Sequence, residues 1–186
     1  GMVKGDFKVI FAEILRTLKA CGYRVKVRLL NAMFYGVPQS RERMIFIGVR
    51  DDLGVEASHP SGWSEPVVVR EAFAGVGPSD SPVMTAVCRR YLDDAPQGGR
   101  VGKLNSIRKL HADRVAGTLT KGGGFREPLH HTEPRSASTP ERKRIGSFPD
   151  PFLFTGHRDA MERIGNSVPP LLMRSIARHV RTLIAR

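Results

Sequence analysis

The chain has 186 residues, of which 40% are apolar and 26% charged, enough for one domain with a real core or two small ones. It shows no signal peptide and no apolar run long enough to span a bilayer; its two cysteines, Cys21 and Cys88, make neither a disulfide framework nor a zinc site and fit packing positions in a reducing cytoplasm. The net charge of +12 is uneven, with 10 Lys/Arg against 3 Asp/Glu in residues 1–50, 4 against 8 in 51–100 and 16 against 7 in 101–186, an excess beyond what solubility needs that points to a polyanionic partner, nucleic acid.

Taken in chain order, Gly1 to Gly5 reads as a loop and Asp6 as a helix N-cap. Phe7, Ile10, Phe11, Ile14, Leu15 and Leu18 then mark one helical face, which the pattern assigns to the core, and Gly22 is the stop. Tyr23 to Leu29 alternates apolar and basic residues, the pattern of a half-exposed strand. Met44 to Val49 is fully apolar, which predicts a strand buried on both faces. The link 31–43 is too long for a tight hairpin and reads as a loop delivered by two strands, where functional groups are often placed. It holds Gln39-Ser40-Arg41-Glu42-Arg43. Two guanidinium groups two residues apart suit phosphate or a carbonyl oxygen, because Arg offers planar, permanently charged donors.

From Asp51 the chain turns rich in Pro, Ser, Gly and acids. Short pieces stand out: Val67–Val69, a helical turn at Arg70–Phe73, a helix at Val83–Leu92 and a strand at Val115–Thr120 that runs into Gly122-Gly123-Gly124. Residues 51–134 read as a small, loop-rich second domain inserted into the first. Beyond it, Glu141–Ile145 is a short helix stopped near Gly146, and Arg158–Ile164 another, closed by Gly165. Ser167 caps a last helix that opens on Pro169-Pro170 and carries Leu172, Ile176, Val180 and Leu183 inward with Arg174, Arg178 and Arg181 outward.

Three segments together resemble the DNA cytosine-5 methyltransferase family. Gln39–Arg43, led in by Asn31 through Pro38, is similar to its Gln-x-Arg-x-Arg motif. Arg135 through Asp150, read as Arg-x-x-Ser-x-x-Glu-x-x-Arg-Ile-x-x-Phe-Pro-Asp, resembles its ninth motif. Gly165-Asn166-Ser167-Val168-Pro169-Pro170 resembles its tenth. The resemblance covers residues 1–50 and 131–186 well and 51–130 in outline, where the family carries its target-recognition domain. It implies an α/β fold: an incomplete Rossmann-like methyltransferase domain (residues 1–50 and 135–186) with the recognition domain inserted at 51–134.

The same resemblance implies transfer of a methyl group from S-adenosylmethionine to a cytosine flipped out of duplex DNA. A cysteine thiolate adds to the ring, and the charge that builds there calls for a nearby cation. Arg43 would be that cation. Arg41 would brace a phosphate or the nucleophile loop, and Gln39 would orient that loop. Asn166, Ser167 and Val168 would lie beside the cofactor. Arg135, Glu141 and Arg144 would form a buried ion network. In the insert, Thr118, Thr120 and Lys121 with Gly122 and Gly123 suit DNA phosphate, since hydroxyls and Lys bind it and glycines let the backbone approach; a surface hairpin accounts for them equally well. His130-His131 lacks a further ligand set, so no metal is expected.

The chain departs from the family in four places. Gly146 stands where Gln is usual. Neither cysteine follows a proline, so the Pro-Cys nucleophile is not here. The Glu-Asn-Val motif and a convincing cofactor loop are also missing. Phe73-Ala74-Gly75-Val76-Gly77 mimics that loop but stands at the wrong place in the motif order. These departures lead us to expect the C-terminal portion of such an enzyme, bacterial or phage, that needs the N-terminal portion as partner and is inactive alone. The alternatives are a non-catalytic sequence-specific DNA-binding module and, more remotely, an enzyme acting on RNA. No membrane association is expected.

Overall fold

A computed structural model describes residues 7–77, 80, 95–101, 104–121 and 128–185. The expected loop at Gly1–Gly5, the Asp6 cap, the helix at Val83–Leu92, Cys88 and the triplet Gly122–Gly124 lie outside these residues. The described chain contains α1 (Phe7–Ala20), β1 (Tyr23–Asn31), a 3-10 turn (Ala32–Tyr35), β2 (Glu42–Arg50), a second 3-10 turn (Asp51–Leu53), α2 (Val69–Ala72), β3 (Arg100–Val101), β4 (Leu104–Arg108), α3 (Thr139–Ile145), α4 (His157–Asn166) and α5 (Pro170–Ile184). It divides into two compact units. One comprises 1–30, 42–61 and 174–186, the other 31–41 and 62–173. The cut differs from the expected division at 51 and 134: 31–41 and 135–173 fall in the second unit with most of the insert, and 51–61 falls in the first.

In the first unit β1 and β2 form a two-stranded sheet. The bonds from Asp51 N–H to the Gly22 carbonyl and from Ala32 N–H to the Arg41 carbonyl bracket an antiparallel ladder. Phe11 of α1 meets Phe46 of β2 with ring centroids 5.6 Å apart, worth about 0.5–1.5 kcal/mol beyond the area it buries. Three expectations fail here. The apolar face of α1 is only part core, since Ile10 remains 49% exposed and Ile14 36%. In β2 only Ile47 and Val49 are buried, while Met44, Ile45 and Phe46 are half-buried. A strand is covered on both faces only where other elements pack on each face of its sheet. Cys21 is exposed rather than packed.

The second unit has its own core, made of Val69, Ala72, Phe73, Leu110, Ala116, Leu119, Ala137, Ile145, Ala160 and Ile164, with Phe148 and Phe154 against it. A satellite cluster of Ala95, Val101, Ile107 and Leu129 lies around the β3–β4 ladder, a pair of strands the sequence reading missed. The helix α3 begins earlier than expected because Ser138 and Glu141 form a reciprocal capping box, which satisfies two otherwise orphaned N–H groups. The helix α4 runs through Gly165 to Asn166. Ser167 does not cap α5: its hydroxyl donates back to the Ile164 carbonyl at 2.9 Å and so closes α4. No strand forms at 115–120; Ala116 makes only an isolated parallel bridge to Gln39.

Candidate functional site

The second unit is organised around a buried polar hub at Gln39 and Arg41, each 1% exposed. The loop that carries them is tied by Asn31. Its side-chain oxygen accepts the Arg41 N–H at 3.1 Å and the Met33 N–H at 3.3 Å, while its amide nitrogen donates to the Ser40 hydroxyl. Arg41 donates to the Leu119 carbonyl at 2.7 Å and to the Gly165 carbonyl at 2.6 Å. Gln39 accepts from Leu119 N–H at 3.2 Å and from Arg41 at 3.3 Å, and donates to the Ile145 carbonyl at 3.3 Å. Side chains therefore satisfy both backbone groups of Leu119. That is a physical reason Leu119, within the 115–120 segment, needs no partner strand: both its backbone polar groups are met by side chains.

The same segment is held at its other points by backbone. Ser40 N–H donates to the Ala116 carbonyl at 2.8 Å, and Ala116 N–H to the Pro38 carbonyl at 3.2 Å. Gly165 completes the packing. A Cβ there would lie 2.3 Å from the Lys121 nitrogen and 2.5 Å from the Thr120 carbonyl carbon, so only glycine admits this approach. The hub thus joins Gln39 and Arg41, the 116–121 segment and the start of the Gly-Asn-Ser-Val segment within the second unit.

Thr118, Thr120 and Lys121 are exposed around the buried Leu119. Thr118 is less available than its exposure implies, because its hydroxyl donates to the Ser40 carbonyl at 2.8 Å. The side chains of Thr120 and Lys121 make no hydrogen bond or ion pair among the described residues. Asn166 is exposed and its amide is likewise unengaged among the described residues. Val168 is half-buried.

Arg43 belongs to the first unit. It donates to its neighbour's carbonyl, Glu42, at 2.7 Å and has no carboxylate within ion-pair distance among the described residues. Burial lowers its pKa from the ordinary value. It is a partly desolvated cation without a countercharge there, an arrangement that favours an incoming anion or carbonyl oxygen.

The expected ion network forms with different members. Arg135 grips Glu141 in a bidentate pair at 2.6 and 2.8 Å and also reaches Glu133 at 2.8 Å. Burial opposes ionisation of Glu141, but the bonds from Arg135 and Ser138 N–H hold its pKa below the usual carboxylate value. Arg144 stands apart, paired at the surface with Asp150 at 2.6 Å. The sequence reading weighed His130 only as a metal ligand and did not place it beside this network. Its Nδ1 accepts the N–H groups of Glu133 at 3.0 Å and Thr132 at 3.3 Å, and its ring stacks on Phe73 at 5.5 Å. Its pKa is lowered by burial and by the Arg135 charge.

The Phe73–Gly77 segment lacks the geometry of a cofactor loop. It follows the helix α2 rather than a strand, and the Phe73 side chain is in the core. Gly75, Val76 and Gly77 line a cavity of about 480 Å³ with Pro140, Lys143, Arg144 and Asp150.

A family model described as C-5 cytosine-specific DNA methylase matches residues 1–97 and 85–182. The Type II methyltransferase M.NgoFVII of Neisseria gonorrhoeae is 30% identical, across 91% of this chain and 53% of its own length. M1.HphI of Haemophilus parahaemolyticus is also 30% identical, across 91% and 51%. The chain spans about half the length of these curated relatives. Among solved structures, an E. coli prophage-encoded protein described as a DNA modification methyltransferase superposes with a TM-score of 0.87 at 18% identity, covering 100% of this chain and 68% of that one. The S. pombe Dnmt2 methyltransferase superposes at 0.62 and 15% identity, covering 97% and 61%. At such identities the likeness shows the fold, a mixed α/β arrangement of the Rossmann-like methyltransferase kind. No helix among the described residues is long and apolar enough to cross a membrane.

Proposed function

The chain belongs to the C-5 cytosine-specific DNA methylase family, and from that premise we propose that it is the recognition half of a Type II DNA cytosine-5 methyltransferase, contributing part of the active site. The observation that carries this reading is the Arg41–Gly165 bond. It joins two of the three segments that resemble family motifs, 124 residues apart, at 2.6 Å. Double-stranded DNA is the substrate, and the protein acts in the bacterial cytoplasm with an N-terminal portion that supplies the cysteine nucleophile. Alone, residues 1–186 are inactive.

The reacting carbon of cytosine is shielded in the duplex, so the base is flipped out before chemistry. Addition of the thiolate to the ring pushes electron density toward the exocyclic oxygen. Arg43, a cation without a countercharge among the described residues, meets that oxygen and lowers the barrier. S-adenosylmethionine, when bound, supplies the electrophilic methyl group. Asn166 fits the cofactor's polar groups because its amide is exposed and unengaged among the described residues, and the backbone of Ser167 and Val168, next to it in the chain, would lie beside the same group. The Ser167 hydroxyl proton is already held by Ile164, so that residue contributes backbone rather than a side-chain donor. Thr120 and Lys121, with Gly122 and Gly123, meet DNA phosphates, and Thr118 accepts rather than donates.

The test is reconstitution. The chain joined to its own upstream sequence is assayed for methyl transfer to duplex DNA, with methylated cytosines mapped by bisulfite sequencing. Cofactor-dependent methylation at one recurrent site, absent with residues 1–186 alone, is the expected result. An upstream sequence without a Pro-Cys pair, or methylation that ignores Arg43→Ala, would sink the proposal.

A further inference from the structure

Resting on the reading above, we propose that Gln39 and Arg41 are positioning residues that govern DNA sequence preference through the segment Ala116–Lys121, without touching base or phosphate. The burial of both groups excludes direct contact with a bulky polyanion. Their protons and lone pairs are directed at protein: the two carbonyls of Leu119 and Gly165, the Leu119 N–H and the Ile145 carbonyl. Every one of these partners lies in the second unit.

The consequence follows from the alternation along the segment. Leu119 points into the core, at 4% exposure, while Thr118 and Thr120 flank it at the surface. The Arg41 and Gln39 bonds set the rotation and depth of the Leu119 peptide groups. Through them they set where Thr120 and Lys121 project. Gly165 removes the remaining slack, because the Thr120–Lys121 backbone rests directly on it. A segment held only by a ladder can slip in register; one held by two specific side chains and a glycine floor cannot. Placement errors at such a segment degrade base discrimination before they degrade charge-driven attachment, since phosphate contacts tolerate displacement and base-edge contacts do not.

The experiment compares Arg41→Met, Arg41→Lys and Lys121→Ala with the parent. Each is measured for binding to a duplex pool of randomised sequence and for the slope of affinity against salt on one mixed-sequence duplex. A cation that contacts a phosphate carries about 0.9 of that logarithmic slope. Arg41→Met is expected to leave the slope unchanged and to relax preference at the affected position roughly tenfold, the scale of one mismatched pair. Arg41→Lys, which keeps one donor, gives an intermediate preference and serves if the methionine variant does not fold. Lys121→Ala is expected to lower the slope by about 0.9. Ile164→Val, a core change that touches neither bond, controls for lost stability and keeps the parent preference.

A drop of about one in slope for Arg41→Met makes Arg41 a phosphate ligand and overturns the proposal. Equal relaxation by Ile164→Val overturns it too, by showing a generic effect of destabilisation. A parent that binds duplex without sequence preference, or not at all, instead removes the functional reading on which it rests.

Discussion

The guanidinium of Arg41 donates to the carbonyl of Gly165 at 2.6 Å across 124 residues of chain. One bond holds the start of the second unit against its last helices, and a second from the same side chain holds Leu119 between them. The stability of this unit and the placement of the exposed Thr120 and Lys121 therefore depend on the same few groups.

Gly165→Ala is expected to destabilise the second unit by about 3 kcal/mol, the upper range for forcing a methyl group into a packed site. The obstruction is backbone of Thr120 and Lys121, which cannot rotate away as a side chain would. Gly117→Ala, where a Cβ meets nothing within 4 Å, is expected to be neutral within ~0.5 kcal/mol. Chemical denaturation of the two variants side by side checks the contrast.

Glu141→Gln is expected to cost roughly 3 kcal/mol, because it leaves Arg135 and its surroundings without the buried member of a bidentate pair. Glu133, half-exposed, continues to compensate part of the Arg135 charge. Glu133→Gln should accordingly cost less than ~1 kcal/mol, the range of an exposed pair. Denaturation midpoints at neutral pH separate the two.

Stability is expected to fall with acid in two stages. His130 has a folded pKa below its ordinary 6.5, so the unfolded chain binds the proton first and stability is lost as pH drops below about 6.5. A proton on Nδ1 would also displace the Glu133 and Thr132 N–H groups it accepts. Glu141 has a folded pKa below its ordinary 4.5. Its contribution is present above that value and is lost as pH falls through the folded one. Thermal melts between pH 7 and pH 3 should show His130→Asn flattening the upper stage and Glu141→Gln the lower.

Arg43→Ala in the intact enzyme is expected to lower the methylation rate by roughly 10²–10³-fold, the scale of removing one donor from a developing negative charge. The melting temperature should change little, since among the described residues Arg43 bonds only the neighbouring carbonyl. Single-turnover methylation and a melt of the same preparation test both halves.

The residues themselves determined the helices α1, α3, α4 and α5 in outline, the strands β1 and β2, and the three segments that resemble family motifs, because local periodicity, capping and turn chemistry are written in neighbouring positions. Gly165 was legible as a motif residue, but not as the floor beneath Thr120 and Lys121. The identity of Gln39 and Arg41 could not reveal whether they face DNA or protein, since the same donors suit a phosphate and a backbone carbonyl equally. Only the tertiary structure decided that, by bringing Leu119, Ile145 and Gly165 to one buried point. It also moved Arg144 from the expected network to Asp150 and left Ile10 and Ile14 exposed, for burial depends on what packs against a face and not on the face alone.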